Sequence, residues 1–391
     1  MDSFKESVIK KIARYVVFHS INIISVLMWR PWAKRPPLNE SPNRIVIIEL
    51  ARIGDLLMSM PFYISLRKTF PSAHITLICT PGSKVAVENC SLINEVHLYD
   101  AFWEDKSTSS RPAIKHFFAT AGLIKFFFSN RFDVCFSVMC RPQPIVPLIA
   151  FISKIKTRIG FAHGMADNFF THPVPFSNSH IIQNKLSLLS TYYPNALIQE
   201  FWKFPILEDS KRAIEEFIAN EFCNNKLPII CVSPSSAQKE KMWGNEKWAD
   251  LINQIIHQEY VVLISGGISD IPIGEKIARM VGDGNRCKNV SGKYSLNQYA
   301  ALLEHSRCLL TVESTPMHIA SSIDLPTIVL MSRLYDYTKY MPLSKNAKIL
   351  TREADCCGCE KGCKKPTCMD FTVEEVYDAF KELIRRPYTI I

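Results

Sequence analysis

The 391-residue sequence lacks several features that would place it in well-known classes of protein. No G-x-G-x-x-G motif is present, which disfavours an NAD-dependent enzyme. No uninterrupted apolar run reaches the roughly 20 residues that a membrane-spanning helix needs, and no small-residue cleavage site of a signal peptide follows the amino terminus. No D-x-D pair lies between the two halves of the chain. We therefore expect a globular protein without a carboxylate pair of that kind for a divalent ion.

Charge is unbalanced in favour of basic residues. With 47% hydrophobic and 21% charged residues the composition is that of a folded protein, and the formal net charge is +9. This charge favours an anionic partner, which could be a nucleotide phosphate, an anionic lipid or nucleic acid. The basic residues are dispersed and no recognised nucleic-acid-binding module is present, so we expect no nucleic-acid partner.

Most of the 13 cysteines stand singly in apolar runs, which is typical of buried thiols in a reducing compartment. The exception is the segment DCCGCEKGCKKPTCM. Its Cys356, Cys359, Cys363 and Cys368 have spacings that could surround one tetrahedral ion. A structural zinc or iron, free thiols in a compact loop, and a disulfide in an oxidising compartment all remain open.

Residues 1–42 combine a basic amphipathic helix with a proline-rich linker. In FKESVIKKIARYVVFHSINIISVLMWR, apolar residues share one helical face and lysines and arginines lie off it. Basic flanks and terminal tryptophans favour a helix that lies in a membrane surface. The alternative is a helix packed on its own domain or on a second subunit.

Two series of alternating strands and helices follow the linker. The apolar runs RIVIIEL and HITLICT flank a helix of about four turns, which predicts a βαβ unit and a buried parallel sheet. The second series contains the runs LPIICVSPSS, YVVLISGG, NVSG, CLLTVES and PTIVLMS. We expect two doubly wound α/β domains, whose ligands bind where strands end and helices begin.

The first strand-to-helix joint contains Arg52, Gly54 and Asp55. Gly54 permits a tight turn, and Asp55 lies at the start of the helix, where aspartate is commonly a plain N-cap. Arg52 adds a cation that a cap does not need. A catalytic carboxylate is therefore the second interpretation of Asp55.

The second joint has the sequence SPSSAQKEKMWGNEKWADLI. The hydroxyls of Ser235 and Ser236 follow a strand, and Lys239 and Lys241 come before the next helix. Hydroxyls, backbone amides and a lysine in this order can hold phosphate oxygens. The alternative is a polar loop with solvated lysines.

The third joint has the sequence VESTPMHIASSI. The strand ends at Glu313, Ser314 and Thr315 are placed to cap the helix, and Pro316 suits its first turn. A helix amino terminus with hydroxyls attracts anions, and His318 lies in the first turn. An ordinary capped helix with a satisfied histidine is the alternative.

Together these motifs resemble glycosyltransferase family 9, the ADP-heptose:lipopolysaccharide heptosyltransferases. The resemblance covers residues 43–385 and is carried by ARIGDLLMSMPFYISLRKTFP, KMWGNEKWADLI, ISGGISD, SGKYSLNQYAALLEHSRCLLTVESTPMHIASSIDLPTIVLM and CMDFTVEEVYDAF. It implies the GT-B fold, in which two Rossmann-like domains face a central cleft. The implied segments are the helix and linker of 1–42, an acceptor domain of 43–207, a nucleotide-sugar domain of 208–370 with a Cys-rich loop at 355–369, and a carboxyl-terminal helix in 371–391.

The resemblance implies inverting transfer of heptose from ADP-heptose to a lipopolysaccharide or lipooligosaccharide core acceptor of the lipid A–core type, without a catalytic metal. Asp55 corresponds to the general base and Lys241 to the phosphate-binding lysine, and Arg52 and Gly54 are implied to contact the acceptor. The residues implied to bind the donor are Ser235, Ser236, Lys239, Asp270, Glu313, Ser314, Thr315, Pro316, Met317 and His318. The implied location is the cytoplasm, peripheral on the inner membrane.

Two residues depart from the family motif D-[ST]-G-P-M-H. Glu313 stands where aspartate is usual, and Thr315 stands where glycine is usual. A longer carboxylate and a β-branched residue crowd a backbone that normally approaches the phosphates closely. The alternative functions are therefore the same scaffold with a different nucleotide sugar and a catalytically silent binding or scaffold protein.

Overall fold

The computed structural model describes residues 20, 36–100, 113–141, 143, 145–163, 168–222, 227–354, 363 and 367–385, with only the backbone for 113–117. The amphipathic helix predicted within residues 1–42 lies outside the described residues. The chain divides into two compact units between Phe201 and Trp202. Within the described part of the chain, no helix has the length and apolar character needed to cross a membrane.

The first unit contains a parallel six-stranded sheet. Its strands are β1 (Arg44–Glu49), β2 (His74–Cys79), β3 (Glu95–Leu98), β4 (Val134–Ser137), β5 (Thr157–Ala162) and β6 (His172–Pro175). They are arranged in the order β3-β2-β1-β4-β5-β6, with Ile45 of β1 opposite Ile75 and Val134. The helices are α1 (Ile53–Leu57), α2 (Met60–Thr69), α3 (Ala113–Asn130), α4 (Ile145–Ile152) and α5 (Ile181–Ser190).

The second unit repeats this plan. Its strands are β7 (Ile229–Ser233), β8 (Val261–Ile264), β9 (Cys287–Asn289), β10 (Cys308–Val312), β11 (Thr327–Leu330) and β12 (Ala347–Leu350). The order is β12-β11-β10-β7-β8-β9, and each neighbouring pair is parallel. The helices are α6 (Glu208–Glu221), α7 (Asn245–Ile256), α8 (Ile271–Val281), α9 (Leu296–Glu304), α10 (Thr315–Ser322) and α11 (Val373–Ile384).

The central strands are predominantly apolar because both of their faces are covered. Ile45, Val46 and Ile47 of β1 are fully buried, and so are the residues of β10. Each unit therefore has the strand order of a Rossmann domain, with its switch point between β1 and β4 or between β7 and β10. The predicted class of two doubly wound domains is confirmed.

The helix after β1 is interrupted, where the sequence predicted about four continuous turns. Helix α1 ends at Leu57 and α2 begins at Met60. Pro61 explains the break, because it has no N–H group to donate to the carbonyl of Leu57 one turn earlier. The strand predicted at NVSG is also displaced, since β9 ends at Asn289 just before Val290.

Candidate active site

Apart from Asp270, which follows β8, the predicted site residues lie at the switch points of the two sheets. Asp55 follows β1, Ser235 and Lys241 follow β7, and Glu313 follows β10 directly. In open α/β sheets the carboxyl ends of strands at a switch point form the usual ligand site. The topology thus places each group of candidates where a Rossmann-type domain binds its ligand.

Asp55 is the third residue of α1 and not its N-cap, which is Arg52. Its carboxylate accepts a hydrogen bond from the Arg52 N–H at 3.3 Å, so the side chain turns back over the start of the helix. Gly54, predicted to permit a tight turn, lies inside α1, and the described glycines with positive φ are Gly282 and Gly292. Asp55 is partly exposed and Arg52 is exposed, so both side chains are open to a ligand.

Beneath Asp55 lies a buried polar network that the sequence reasoning missed. The ammonium of Lys185 on α5 donates to Glu49 Oε1 at 2.6 Å, to the Asp55 carbonyl oxygen at 2.8 Å and to Ser59 Oγ at 2.5 Å. Ser59 donates to Glu49 Oε1 at 2.7 Å, and the Tyr63 hydroxyl donates to Glu49 Oε2. Glu49 and Lys185 are each 1% exposed.

Burial and neighbouring charges shift the pKa values of these groups. Burial raises the pKa of Glu49 above its ordinary value, although Lys185 acts in the opposite direction. Burial lowers the pKa of Lys185, but the Glu49 charge and smaller contributions exceed that effect, so its pKa is raised overall. Burial raises the pKa of the neighbouring Cys140 thiol to about 12. One signal in the sequence could have revealed the pair: a lone carboxylate in the apolar run RIVIIEL and a lone lysine in IIQNKLSLL.

The second unit has a buried ion pair at its switch point. Lys241 contacts Glu313 Oε1, and Ser332 donates to Glu313 Oε2 at 3.0 Å. Ser236 donates to the Glu313 carbonyl oxygen at 3.2 Å. Lys241 and Glu313 are 8% and 9% exposed, so the pair is largely removed from water. The loop after β7 and the end of β10, predicted as separate joints, are thus brought into direct contact.

Two tryptophans fix the position of Lys241. Trp243 and Trp248 are buried in the core of the second unit, with ring centroids 4.9 Å apart in an edge-to-face arrangement. The indole N–H of Trp243 donates to the Phe371 carbonyl at 3.0 Å. Because Trp243 is anchored two residues after Lys241, the backbone of Lys241 is held near the carboxyl end of the sheet.

The other predicted donor residues of the β7 loop differ in their surroundings. The Ser235 hydroxyl is buried and has no hydrogen-bond partner among the described residues. Ser233, two residues earlier, belongs to a buried hydroxyl cluster, with its Oγ 2.7 Å from Ser265 Oγ and 2.9 Å from the Tyr299 hydroxyl. Lys239 is exposed, and within the described ranges no hydrogen bond or ion pair joins it to the pair of Lys241 and Glu313.

Helix α10 begins as predicted, but it is not capped as predicted. Ser314 is the N-cap and Pro316 lies in the first turn. The Ser314 hydroxyl lies 3.2 Å from Thr311 Oγ1 and donates to the Val312 carbonyl at 3.2 Å, so it does not cap the helix. Thr315 and His318 are partly exposed, whereas Met317 is buried against Val329 and Met331.

Asp270 uses its carboxylate within its own turn. It lies in a short 3₁₀ turn, Ile268–Asp270, and accepts a hydrogen bond from the Gly267 N–H at 2.8 Å. A Cβ atom on Gly266 would lie 2.7 Å from the Asp270 Cβ, which explains the glycine. No hydrogen bond or ion pair among the residues described connects Asp270 with Lys241 or Glu313.

With this geometry established, comparisons with known proteins identify the family. A family model described as glycosyltransferase family 9 (heptosyltransferase) matches residues 145–368, which is more than half of the chain. The chain belongs to glycosyltransferase family 9. It is therefore a glycosyltransferase, and the resemblance inferred from the motifs is confirmed.

Curated relatives and solved structures extend the likeness beyond the matched segment. Lipopolysaccharide heptosyltransferase 3 of Escherichia coli is 23% identical over 301 residues, which cover 75% of this chain and 84% of the relative. The lipopolysaccharide core heptosyltransferase OpsX of Haemophilus influenzae is 24% identical over 306 residues, which cover 75% and 80%. A family 9 glycosyltransferase of Veillonella parvula has a TM-score of 0.74 at 19% identity, covering 90% of this chain and 99% of that one. The E. coli ADP-heptose lps heptosyltransferase II has a TM-score of 0.69 at 18% identity, covering 88% and 99%. These structural likenesses confirm the GT-B fold class.

The Cys-rich segment of this family member lies mostly outside the described residues. Cys356 and Cys359 are among the undescribed positions, Cys363 is partly exposed, and Cys368 is buried with its sulfur accepting the Arg333 N–H at 3.5 Å. In the described part of the chain no group of three or more His, Cys, Asp or Glu side chains could hold a metal ion. The four-thiolate site stays a prediction.

The two sites have the chemical groups that glycosyl transfer needs. A partly exposed carboxylate at the end of β1 can take a proton from a hydroxyl. A cation next to the start of a helix can stabilise the negative charge that develops on a leaving diphosphate. Sequence reasoning found both groups; it did not find Glu49, Ser59, Tyr63 and Lys185, which lie beneath one of them.

Proposed function

We propose that this chain transfers heptose from ADP-heptose to the core of a lipopolysaccharide or lipooligosaccharide. The relatives whose names specify this chemistry support the proposal. The observation that carries it is Lys241, a cation held 8% exposed at the switch point of the second unit beside the end of β10. Such a site suits the diphosphate of a nucleotide sugar.

The proposed reaction is a single inverting displacement. The acceptor hydroxyl oxygen attacks C1 of the heptose, the bond from C1 to the diphosphate oxygen breaks with its electron pair leaving on ADP, and Asp55 takes the hydroxyl proton. Lys241 and the first turn of α10 stabilise the charge on the departing diphosphate. We propose that these fixed charges act without a catalytic metal ion.

A different nucleotide sugar is the second candidate donor. Two residues at the start of α10 support this alternative. Glu313 neutralises Lys241 in the described structure, and Thr315 places a β-branched side chain at the first residue of the helix. Both residues differ from the usual family motif at the positions proposed to approach the donor diphosphate. Donor choice is therefore the first property to measure.

The implied location is the cytoplasmic face of the inner membrane, with a lipid A–core acceptor embedded in it. The basic residues of segment 1–42 support this proposal, because lysines and arginines bind anionic lipid surfaces. Deletion of residues 1–40 should lower the fraction of protein that sediments with anionic vesicles. Equal sedimentation of both forms would remove the proposal.

We further propose that the Cys-rich loop of residues 355–369 holds a structural zinc or iron ion on Cys356, Cys359, Cys363 and Cys368. Elemental analysis of protein purified without chelator is expected to give about one ion per chain, as a single four-cysteine site predicts. Replacement of Cys359 and Cys363 by alanine should remove it. An unchanged metal content in that variant would contradict the assignment.

The function is tested by a panel of donors with a lipid A–core acceptor fraction. Purified protein is supplied in turn with ADP-heptose and with UDP-, GDP- and CMP-sugars, and release of free nucleotide diphosphate or monophosphate is measured. Consumption of ADP-heptose that depends on both acceptor and Asp55 supports the proposal. Acceptor-dependent consumption of another sugar would establish the second candidate, and binding without any turnover would contradict both.

A further inference from the structure

The carbonyl group of Asp55 has an unusual partner. In a continuous α-helix this carbonyl would accept the N–H of Ser59, but α1 ends at Leu57 and the Ser59 N–H is donated to the Leu56 carbonyl at 3.0 Å. The side-chain ammonium of Lys185 lies 2.8 Å from the Asp55 oxygen instead. A residue 130 positions away thus supplies a hydrogen bond that the helix break has removed.

Counting hydrogens assigns this bond to Lys185. The Ser59 hydroxyl lies 2.7 Å from Glu49 Oε1 and 3.2 Å from the Asp55 carbonyl, and it has one hydrogen, which the shorter contact takes. The three ammonium hydrogens of Lys185 match its three acceptors, which are Glu49, Asp55 and Ser59. Every ammonium hydrogen therefore has a specific acceptor, so the lysine has one defined position.

We propose that Lys185 is a positioning residue for Asp55, and that Glu49 holds Lys185 in place for this purpose. The inference rests on the proposed role of Asp55 as general base. Lys185 fixes the backbone of Asp55 at its carbonyl, while the Asp55 carboxylate remains partly exposed and faces the start of α1. The backbone of Asp55, which follows β1 in the chain, is thereby also hydrogen-bonded to α5, the last helix of the first unit.

Burying the Glu49–Lys185 pair costs free energy, and this cost supports a role for the pair other than stabilising the core. Moving a carboxylate and an ammonium out of water is expensive, and apolar residues of similar volume often stabilise a core equally well. Glu49 and Lys185 are nonetheless each 1% exposed, Glu49 at the end of the buried strand β1 and Lys185 among the buried isoleucines and leucines of α5. A lysine with three oriented donors can fix a backbone carbonyl, which an apolar side chain cannot do.

The test removes the network without leaving a buried charge. In a quadruple variant, Glu49→Met, Ser59→Ala, Tyr63→Phe and Lys185→Met replace all four polar side chains by apolar ones. The expected kcat with ADP-heptose is about 10- to 100-fold below wild type, as for displacement of a catalytic group by about 1 Å. The KM for ADP-heptose should change less than about twofold, because the proposed donor residues lie in the second unit.

Tyr63→Phe is the matched control. It removes one hydrogen bond to Glu49 but keeps Lys185 and its contacts with Glu49, Ser59 and the Asp55 carbonyl, so the thermal unfolding midpoint should fall while kcat stays within about threefold of wild type. A merely structural role of the network predicts instead that kcat falls in Tyr63→Phe in step with its loss of stability. If the quadruple variant does not fold, the Glu49→Gln/Lys185→Gln variant replaces it. The glutamine side chain is one bond shorter than that of lysine, so its amide should not reach the Asp55 carbonyl, and neither substituted side chain is charged.

Amide hydrogen exchange provides a readout that needs no substrate. Peptides that cover residues 53–59 should exchange about 10-fold faster in the quadruple variant than in Tyr63→Phe, since the Asp55 carbonyl has lost its donor. Equal exchange together with wild-type kcat in a folded quadruple variant would overturn the proposal. If Asp55→Asn itself keeps full turnover, the proposed base is wrong, and this result is distinct from loss of the positioning role alone.

Discussion

Lys241 and Glu313 form an ion pair in which each side chain is about nine-tenths buried, and the two residues come from loops after different strands of the second sheet. The lysine that we propose to bind the diphosphate is therefore already neutralised by a carboxylate. A diphosphate that approaches Lys241 has to share it with Glu313, and the two anions repel each other.

This relationship predicts that Glu313→Gln strengthens nucleotide binding. The Kd for ADP should fall by about 10-fold, because the variant removes one negative charge beside the site, which corresponds to about 1.4 kcal/mol. The protein without ligand should become less stable, since Lys241 loses its buried counter-charge. Calorimetric titration with ADP measures the first effect and thermal unfolding the second.

Lys241→Gln is the paired variant and should weaken ADP binding. Equal ADP affinity in wild type, Glu313→Gln and Lys241→Gln would show that the diphosphate does not reach this lysine. Lys239→Gln serves as the comparison for a nearby exposed lysine, and we expect a smaller effect because an exposed charge is screened by water and salt.

Asp55→Asn should lower turnover by about 10²- to 10⁴-fold, which is the usual contribution of a general base. The amide keeps the shape of the side chain but cannot take the hydroxyl proton. Acceptor-dependent release of ADP under saturating substrates measures this change. Turnover within threefold of wild type would exclude Asp55 as the base.

Gly274→Ala should destabilise the second unit by about 1–3 kcal/mol, as overpacking of a core does. A Cβ atom at this position of α8 would lie 2.3 Å from Asn289 Oδ1. Asn289 has little freedom to move, because its amide nitrogen donates to the Ile271 carbonyl at 3.2 Å and its oxygen accepts the Ser291 N–H at 3.1 Å.

Gly122→Ala is the control with the opposite sign. Gly122 is exposed inside α3, and a Cβ atom there meets nothing within 4 Å. Alanine should therefore stabilise the first unit by about 0.5–1 kcal/mol through its higher helix propensity. Thermal unfolding of both variants checks the pair, and equal shifts would contradict the packing argument.

Alkaline pH should destabilise the protein partly through Cys135. Burial in β4 raises the pKa of this thiol from 9.0 to about 12. Above pH 9 the unfolded chain loses the thiol proton while the folded chain keeps it, so the contribution to stability is complete below pH 9 and declines towards pH 12. In Cys135→Ala the fall in unfolding free energy between pH 9 and 11 should be shallower by about 1.4 kcal/mol per pH unit. Urea unfolding at several pH values measures this free energy. The same dependence on pH in wild type and Cys135→Ala would contradict this assignment.

The fold was largely predictable because continuous apolar runs such as RIVIIEL specify buried parallel strands. Periodicity predicted the helix after β1 but not its interruption, since Pro61 is compatible with the first turn of a new helix as well as with a kink. Strands β6 and β12 were not anticipated. The segment of β6, HPVP, contains two prolines, and the β12 segment, AKIL, is partly exposed and only four residues long.

The candidate site was predicted where its residues follow one another in the chain. Glu313 to His318 form one strand-to-helix joint, so spacing alone brings them together. The contact between Lys241 and Glu313 joins residues 72 positions apart, and the contact between Lys185 and Glu49 joins residues 136 positions apart. Periodicity describes neighbours along one element, so it could not show these pairs.

The position of Lys185 also constrains how the first unit matures during synthesis on the ribosome. Strand β1, Glu49 and Asp55 are made early, but the ammonium that pairs with them belongs to α5, more than a hundred residues later. Until α5 has left the exit tunnel, the Glu49 carboxylate has no cation and the Asp55 carbonyl has no donor from Lys185. A nascent chain that stops before residue 181 therefore carries the proposed base without the group that positions it, and the base is correctly positioned only when nearly the whole unit has been translated.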